Sequence, residues 1–241
     1  MTEKINKGLY DAARFAIQPN MLGYCGEDGS QEILRRFVTA KSVDPIRVIE
    51  TLRGHGFPHL NSFLESISSI TKRDIFDDKV VASYWFGNNL TESTFDRGKE
   101  LLVAEYSKNL FPNFGNQLQK NLPSKLYLTH LSQVALIAAT DNEEPKRVNL
   151  INRCMIASGT VTEIDLKNKT AVVNRDILTL QKNNHYLVDI GPQNVKIDPD
   201  LTPHLNVGDN VAIHLGYLAA KLDDDEQKNL RFWTRKVAEI I

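Results

Sequence analysis

The 241-residue chain has only two cysteines, Cys25 and Cys154. Two are too few for a disulfide framework, so a reducing cytosol is the expected setting. The longest unbroken apolar run, Val134 to Ala139, falls far short of the ~18 residues that read as a membrane span. The opening Met1-Thr2-Glu3-Lys4-Ile5-Asn6 carries no apolar stretch of the secretory kind, which again points to a cytoplasmic protein. A surplus of one charge is also missing: 29 basic residues face 30 acidic ones, for a net charge of −1. A non-specific polyanion binder needs excess Lys and Arg, and a stacking platform needs aromatics interleaved with them, so nucleic acid is not an expected partner. There is no Walker-type phosphate loop, no dinucleotide glycine fingerprint and no nucleophile-elbow pentapeptide. The absence of these motifs does not exclude an enzyme, because catalytic groups can meet in space without a linear motif.

What is present is an ordinary apolar fraction, 41%, ample for a core, arranged in two different periods. The first part is helical. Ile5, Leu9, Ala12, Ala13, Ala16 and Ile17 recur at helical spacing and predict a helix that stops before Pro19. A second helix is expected over Gln31 to Lys41. A third is framed by Asp44 as N-cap, Pro45 at the first helical position and Gly54 as the stop, with Ile46, Ile49 and Leu52 on one face. Further helices are expected at His59 to Thr71, Asp78 to Asn88, Ser93 to Asn109, and Lys125 to Ala139.

The polar, proline-broken segment Asp141 to Arg147 suggests a domain boundary. We therefore expect an α+β chain, with a helical domain over 1–145 and a small antiparallel barrel over 146–241. After the boundary the pattern alternates. Val161 and Thr170-Ala171-Val172-Val173 flank a Lys167-Asn168 turn, and His185 to Ile190 and Asn194 to Ile197 suggest a strand pair around Gly191-Pro192. Val211, Ile213 and Leu215 alternate with Ala212, His214 and Gly216, which places His214 on the face opposite the apolar residues. A closing helix has Leu230, Trp233, Val237 and Ile240 as its stripe. Asp223 to Glu226 at its start are better read as partners of the helix dipole than as metal ligands.

Two segments of this second part carry a family resemblance. Arg153-Cys154-Met155-Ile156-Ala157-Ser158-Gly159-Thr160-Val161-Thr162-Glu163-Ile164-Asp165 resembles the opening of the HypC/HupF family of nickel–iron hydrogenase maturation chaperones. Val207-Gly208-Asp209-Asn210-Val211-Ala212-Ile213-His214-Leu215-Gly216-Tyr217 resembles that family's second signature, and Leu218 to Leu222 the start of its closing helix. The resemblance implies an oligonucleotide-binding-like (OB-like) barrel with a C-terminal helix. It also implies iron carried at Cys154 with His214 beside it, and a protein partner, either a maturation scaffold or a hydrogenase large subunit. Cys154 is internal here, so its backbone nitrogen is an amide rather than a free amine. The stretch from Asn174 to Pro203 is longer than the family's middle, as though a hairpin were inserted.

The helical part has motifs of its own. The loop Gln18 to Gly29 holds Tyr24, Cys25, a proline and three glycines, a composition that marks a defined turn. With Ala13-Arg14-Phe15-Ala16 and Tyr84-Trp85-Phe86-Gly87-Asn88-Asn89, it resembles an uncharacterised bacterial and archaeal family in which a helical domain precedes a HypC-like barrel. Cys25 either marks a close ligand approach or plugs a helix corner, and Trp85 and Phe86 read as core. His55 and His59 flank Gly56-Phe57-Pro58 and lack the i, i+4 spacing of a zinc pair. His130 reads equally as an interior histidine or a catalytic one.

Two functions are therefore expected in competition. One is an accessory protein presenting iron through Cys154 and His214. The other is an enzyme or small-ligand protein whose site, between helical domain and barrel, draws on Tyr24, Cys25 and one of His55, His59 or His130.

Overall fold

Helix caps and glycines punctuate the chain much as its sequence suggests, with a few breaks moved by packing. The structure is a computed structural model that describes residues 6–40, 42–109, 119, 122–139, 143–180 and 186–241. The chain divides into two units, Met1–Thr129 and His130–Ile241.

Seven helices are described in the first unit: α1 Lys7–Met21, α2 Ser30–Ala40, α3 Pro45–Arg53, α4 Pro58–Thr71, α5 Asp78–Trp85, α6 Asn89–Thr94 and α7 Gly98–Asn109. α1 does not stop before Pro19 but runs through it to Met21. The chain beyond folds back, and the amides of Tyr24 and Cys25 donate to the Pro19 carbonyl at 2.9 and 3.3 Å, tying down a turn that proline would otherwise weaken. α3 keeps its expected frame, with the Asp44 carboxylate accepting from the Ile46 amide at 2.8 Å. Its buried stripe, however, is Val48 and Leu52, while Ile46 stays 64% exposed.

The single helix expected over Ser93 to Asn109 is two. The break persists because residues 126–128 return alongside it. The Leu126 amide donates to the Phe95 carbonyl at 3.0 Å, and the Leu128 amide to the Thr94 hydroxyl at 2.9 Å. The same bonds explain why the helix expected from Lys125 begins only at His130. Phe15 stacks on Trp85 at 5.0 Å between centroids, and Phe86 meets Phe15 edge-on at 5.5 Å. Both Trp85 and Phe86 are core residues.

The second unit opens with α8 His130–Ala138 and α9 Glu144–Cys154. A barrel follows, of β1 Ala157–Asp165, β2 Thr170–Leu180, β3 Tyr186–Lys196, β4 Asn210–His214 and β5 Tyr217–Lys221, and then α10 Asp224–Ala238. The barrel is closed in the order β1-β2-β3-β5-β4. Val161, Ala171, Val173, Val195, Ile197, Val211, Ile213 and Leu218 fill it. The architecture is thus α+β, with helices, a closed five-stranded barrel and a C-terminal helix.

Three local expectations change. Gly191-Pro192 is not a turn: β3 runs straight through it, pairing Pro192 with Asn174 of β2. Proline fits there because, among the described residues, β3's other edge is bridged only at Lys196, opposite Tyr217 of β5. The extra length in the middle of the sequence extends one hairpin of two 11-residue strands instead of inserting another; His185 lies outside the described residues. Finally, Leu218 to Leu222 does not start a helix, since Tyr217–Lys221 is β5. Leu215 and Gly216, at φ 52° and 78°, form the two-residue turn from β4 to β5, the left-handed pair that matches strand twist. α10 is capped by Asp223, which exchanges capping-box bonds with Glu226, so the acidic run serves the helix start. Among the described residues no helix is long and apolar enough to cross a membrane.

Candidate functional site

Strand register brings the two signature segments of the second unit to one end of the barrel. Cys154 is the last residue of α9, not a member of the first strand, and is half-buried. Three residues later β1 begins with Ala157, paired to Ile213, the residue before His214. Arg153 and Leu215, the immediate neighbours of Cys154 and His214, line the same cavity of about 480 Å³.

The alternation along β4 holds, with Val211 and Ile213 inside the barrel and His214 outside it. The outer face is covered, though, and His214 is only 2% exposed. Its ring meets that of His130 on α8 edge to face, with centroids 5.0 Å apart. Burial, with His214 adding to it, holds the His130 imidazole well below its ordinary pKa, so it is neutral at pH 7. Among the described residues no group of three or more His, Cys, Asp or Glu side chains is placed to hold a metal ion.

The first unit gathers a different set. Cys25 lies in a loop wound around Asn20, whose side-chain amide donates to the carbonyls of Cys25 and Glu27, both at 2.9 Å. The Asn20 side-chain Oδ1 accepts from the Gln31 backbone amide at 2.6 Å. Gly26, at φ 92°, closes the turn where a Cβ would strike Asn20 and Phe57. His59 Nδ1 is hydrogen-bonded to the Tyr106 hydroxyl at 2.7 Å. Cys25 lies within electrostatic reach of Tyr106 and Tyr84, both buried.

Burial raises the pKa of the Cys25 thiol and lowers that of the His59 imidazole, and it drives both phenols far above their usual range. Every member is then neutral at pH 7. A neutral thiol is a poor nucleophile, and the His59–Tyr106 hydrogen bond acts as a polar tie between α4 and α7. Tyr24 is 50% exposed and His55 is also exposed. A second cavity, of about 490 Å³, has Glu27, Asp28, Glu32, Asp44 and Glu50 in its wall together with Arg36 and Arg47.

Sequence reasoning missed three residues that organise these places: Asn20, Tyr106 and Arg175. Asn20 follows a proline within a helix, where an asparagine reads only as a breaker. Tyr106 sits in a helix without a clear apolar stripe. Arg175, 2% exposed on β2, looks in the sequence like any strand arginine.

A protein-family model described as a family of unknown function, DUF6390, matches residues 4–241. No match to the chain was found among the curated proteins or the solved structures.

Proposed function

We propose that this chain, which belongs to the DUF6390 family of unknown function, is a non-catalytic accessory protein related to the hydrogenase maturation chaperones. In this reading it carries iron at Cys154, with His214 beside it, for delivery to a protein partner. The observation that carries the proposal is the register just described: two segments about sixty residues apart, each with one soft or borderline iron donor, end at the same rim of the barrel.

The donor set suits a cargo better than a resident metal. A thiolate and an imidazole leave most of the coordination sphere to non-protein ligands or to the partner. The neutral His130 beside His214 adds no charge that would repel a cation. We read the barrel itself as OB-like. In support, β1 pairs with both β2 and β4 across a bulge at Val161/Glu163, and the order β1-β2-β3-β5-β4 places β5 between β3 and β4.

The test is anaerobic: tagged protein is isolated from cells producing a nickel–iron hydrogenase, then assayed for bound iron and co-purifying maturation scaffold or large subunit. The proposal expects both, with iron lost in Cys154→Ala. Partner capture and iron content unchanged by that substitution would overturn it.

A further inference from the structure

Beside the Cys154 rim lies a buried cation with unused donors. Arg175 is 2% exposed. Its guanidinium donates from Nε to the Asp176 carbonyl at 2.9 Å, from Nη1 to Gln193 Oε1 at 2.8 Å, and from Nη2 to the Asn152 carbonyl at 2.7 Å. All three acceptors are neutral. A guanidinium carries five N–H groups, so one on each Nη is left over. Among the described residues no carboxylate forms an ion pair with Arg175. The nearest in sequence, Asp176, points to the other face of β2, where Arg231 Nε lies 3.7 Å from Oδ1. Burial pulls the Arg175 pKa down to about 10, Asp176 opposing the shift, so the side chain still carries its charge at pH 7.

Asp176 attracts Arg175 through space without bonding to it, and a buried charge with no ion pair of its own is costly unless something pairs with it. Arg175 lines the cavity of about 480 Å³ that Arg153 and Leu215 share, and no acidic side chain contributes to its wall. Asn149 and Gln193 supply polar groups, while Ile177, Pro192 and Leu215 supply apolar surface. The volume is that of a small-molecule site.

We propose that this cavity binds a small organic carboxylate, its carboxylate group on the Arg175 guanidinium and its hydrocarbon part against Ile177, Pro192 and Leu215. One negative charge matches the one buried positive charge, and two N–H groups on neighbouring nitrogens match two carboxylate oxygens. The site does not depend on iron binding at Cys154, and it can be tested in metal-free protein.

The experiment uses the full chain without metal, with butyrate, succinate and inorganic phosphate as probes and sodium chloride as the ionic-strength control. Thermal unfolding is recorded, as is the Arg175 Nε–H resonance in 15N-labelled protein, assigned with Arg175→Lys. Butyrate or succinate is expected to raise the melting temperature saturably and to shift that resonance, with chloride doing neither. Asn149→Glu places a carboxylate at the exposed cavity wall without touching Arg175 or its bonds, and it should reduce carboxylate binding at least tenfold. Arg175→Gln should abolish it; should that variant not fold, Asn149→Glu decides alone. Absence of saturable binding by either carboxylate, binding unchanged in Asn149→Glu, or a response to phosphate only would each overturn the proposal.

Discussion

The rings of His130 and His214 pack edge to face, 5.0 Å between centroids and 87° between planes, within the second unit. Two imidazoles this close and this buried cannot both be protonated at low cost. Burial together with this contact keeps His130 neutral, and the contact gives His214 a packing role alongside its proposed donor role. Truncation to His214→Ala should cost about 2–4 kcal/mol, the range for removing a large buried ring. Urea unfolding followed by far-UV circular dichroism would measure it. His214→Gln, which retains volume and a polar end, should recover more than half of that loss.

Asn20 is the hub of the Cys25 loop, with two donated bonds and one accepted bond. Asn20→Ala leaves those backbone groups to find new partners and should cost about 2–3 kcal/mol. Gly26→Ala should also destabilise, through its left-handed φ and the clash with Asn20 and Phe57. Chemical denaturation of the two single variants and the double variant checks this, and the double should cost less than the sum because both act on one loop.

His59 supplies a pH dependence. Burial lowers its pKa in the folded state, so the unfolded chain takes up the proton first. The stability tied to this group is complete above the ordinary imidazole value of about 6.5 and is lost as pH falls below it. His59→Gln, which keeps a polar partner for Tyr106, should flatten the decline in unfolding midpoint between pH 7 and 5. An identical decline in the two proteins would contradict the assignment.

Asp176 acts in the opposite sense. Its pKa is raised, chiefly by burial, against the attraction of Arg231, Arg235 and Arg175. The nearest of these, Arg231 Nε at 3.7 Å, is beyond hydrogen-bonding reach of the carboxylate. The group's contribution is fully favourable below the usual carboxylate value of about 3.9 and is lost as pH rises through the raised folded value. Asp176→Asn should therefore be at least as stable as wild type at pH 7, the difference closing toward pH 3.5. Midpoints of urea unfolding at a series of pH values would show it.

How much was legible in the sequence depended on whether the signal was local. Asp44, Pro45 and Gly54 frame α3 because caps act within one turn, and the Lys167-Asn168 turn follows from the same locality, the Asn168 amide donating to Asp165 Oδ1 at 3.0 Å. The break between α6 and α7 was illegible because its cause, the return of residues 126–128, is distant in sequence. Pro192 looked like a turn because only the pairing of β3 shows that the strand continues through it beside a sparsely paired edge. Cys154 and His214 stood out by resemblance, and alternation put His214 on the correct face. That helices cover this face, and that Arg175 is buried beside a cavity, are tertiary facts that no local pattern carries.

The shared iron site proposed at Cys154 and His214 is read by iron K-edge X-ray absorption on protein loaded anaerobically with one equivalent of Fe(II). Wild type should show one sulfur scatterer with imidazole back-scattering. The sulfur shell should be lost in Cys154→Ala and the imidazole contribution in His214→Gln. An iron environment of oxygen and nitrogen alone in wild type, or spectra unchanged by both substitutions, would contradict it.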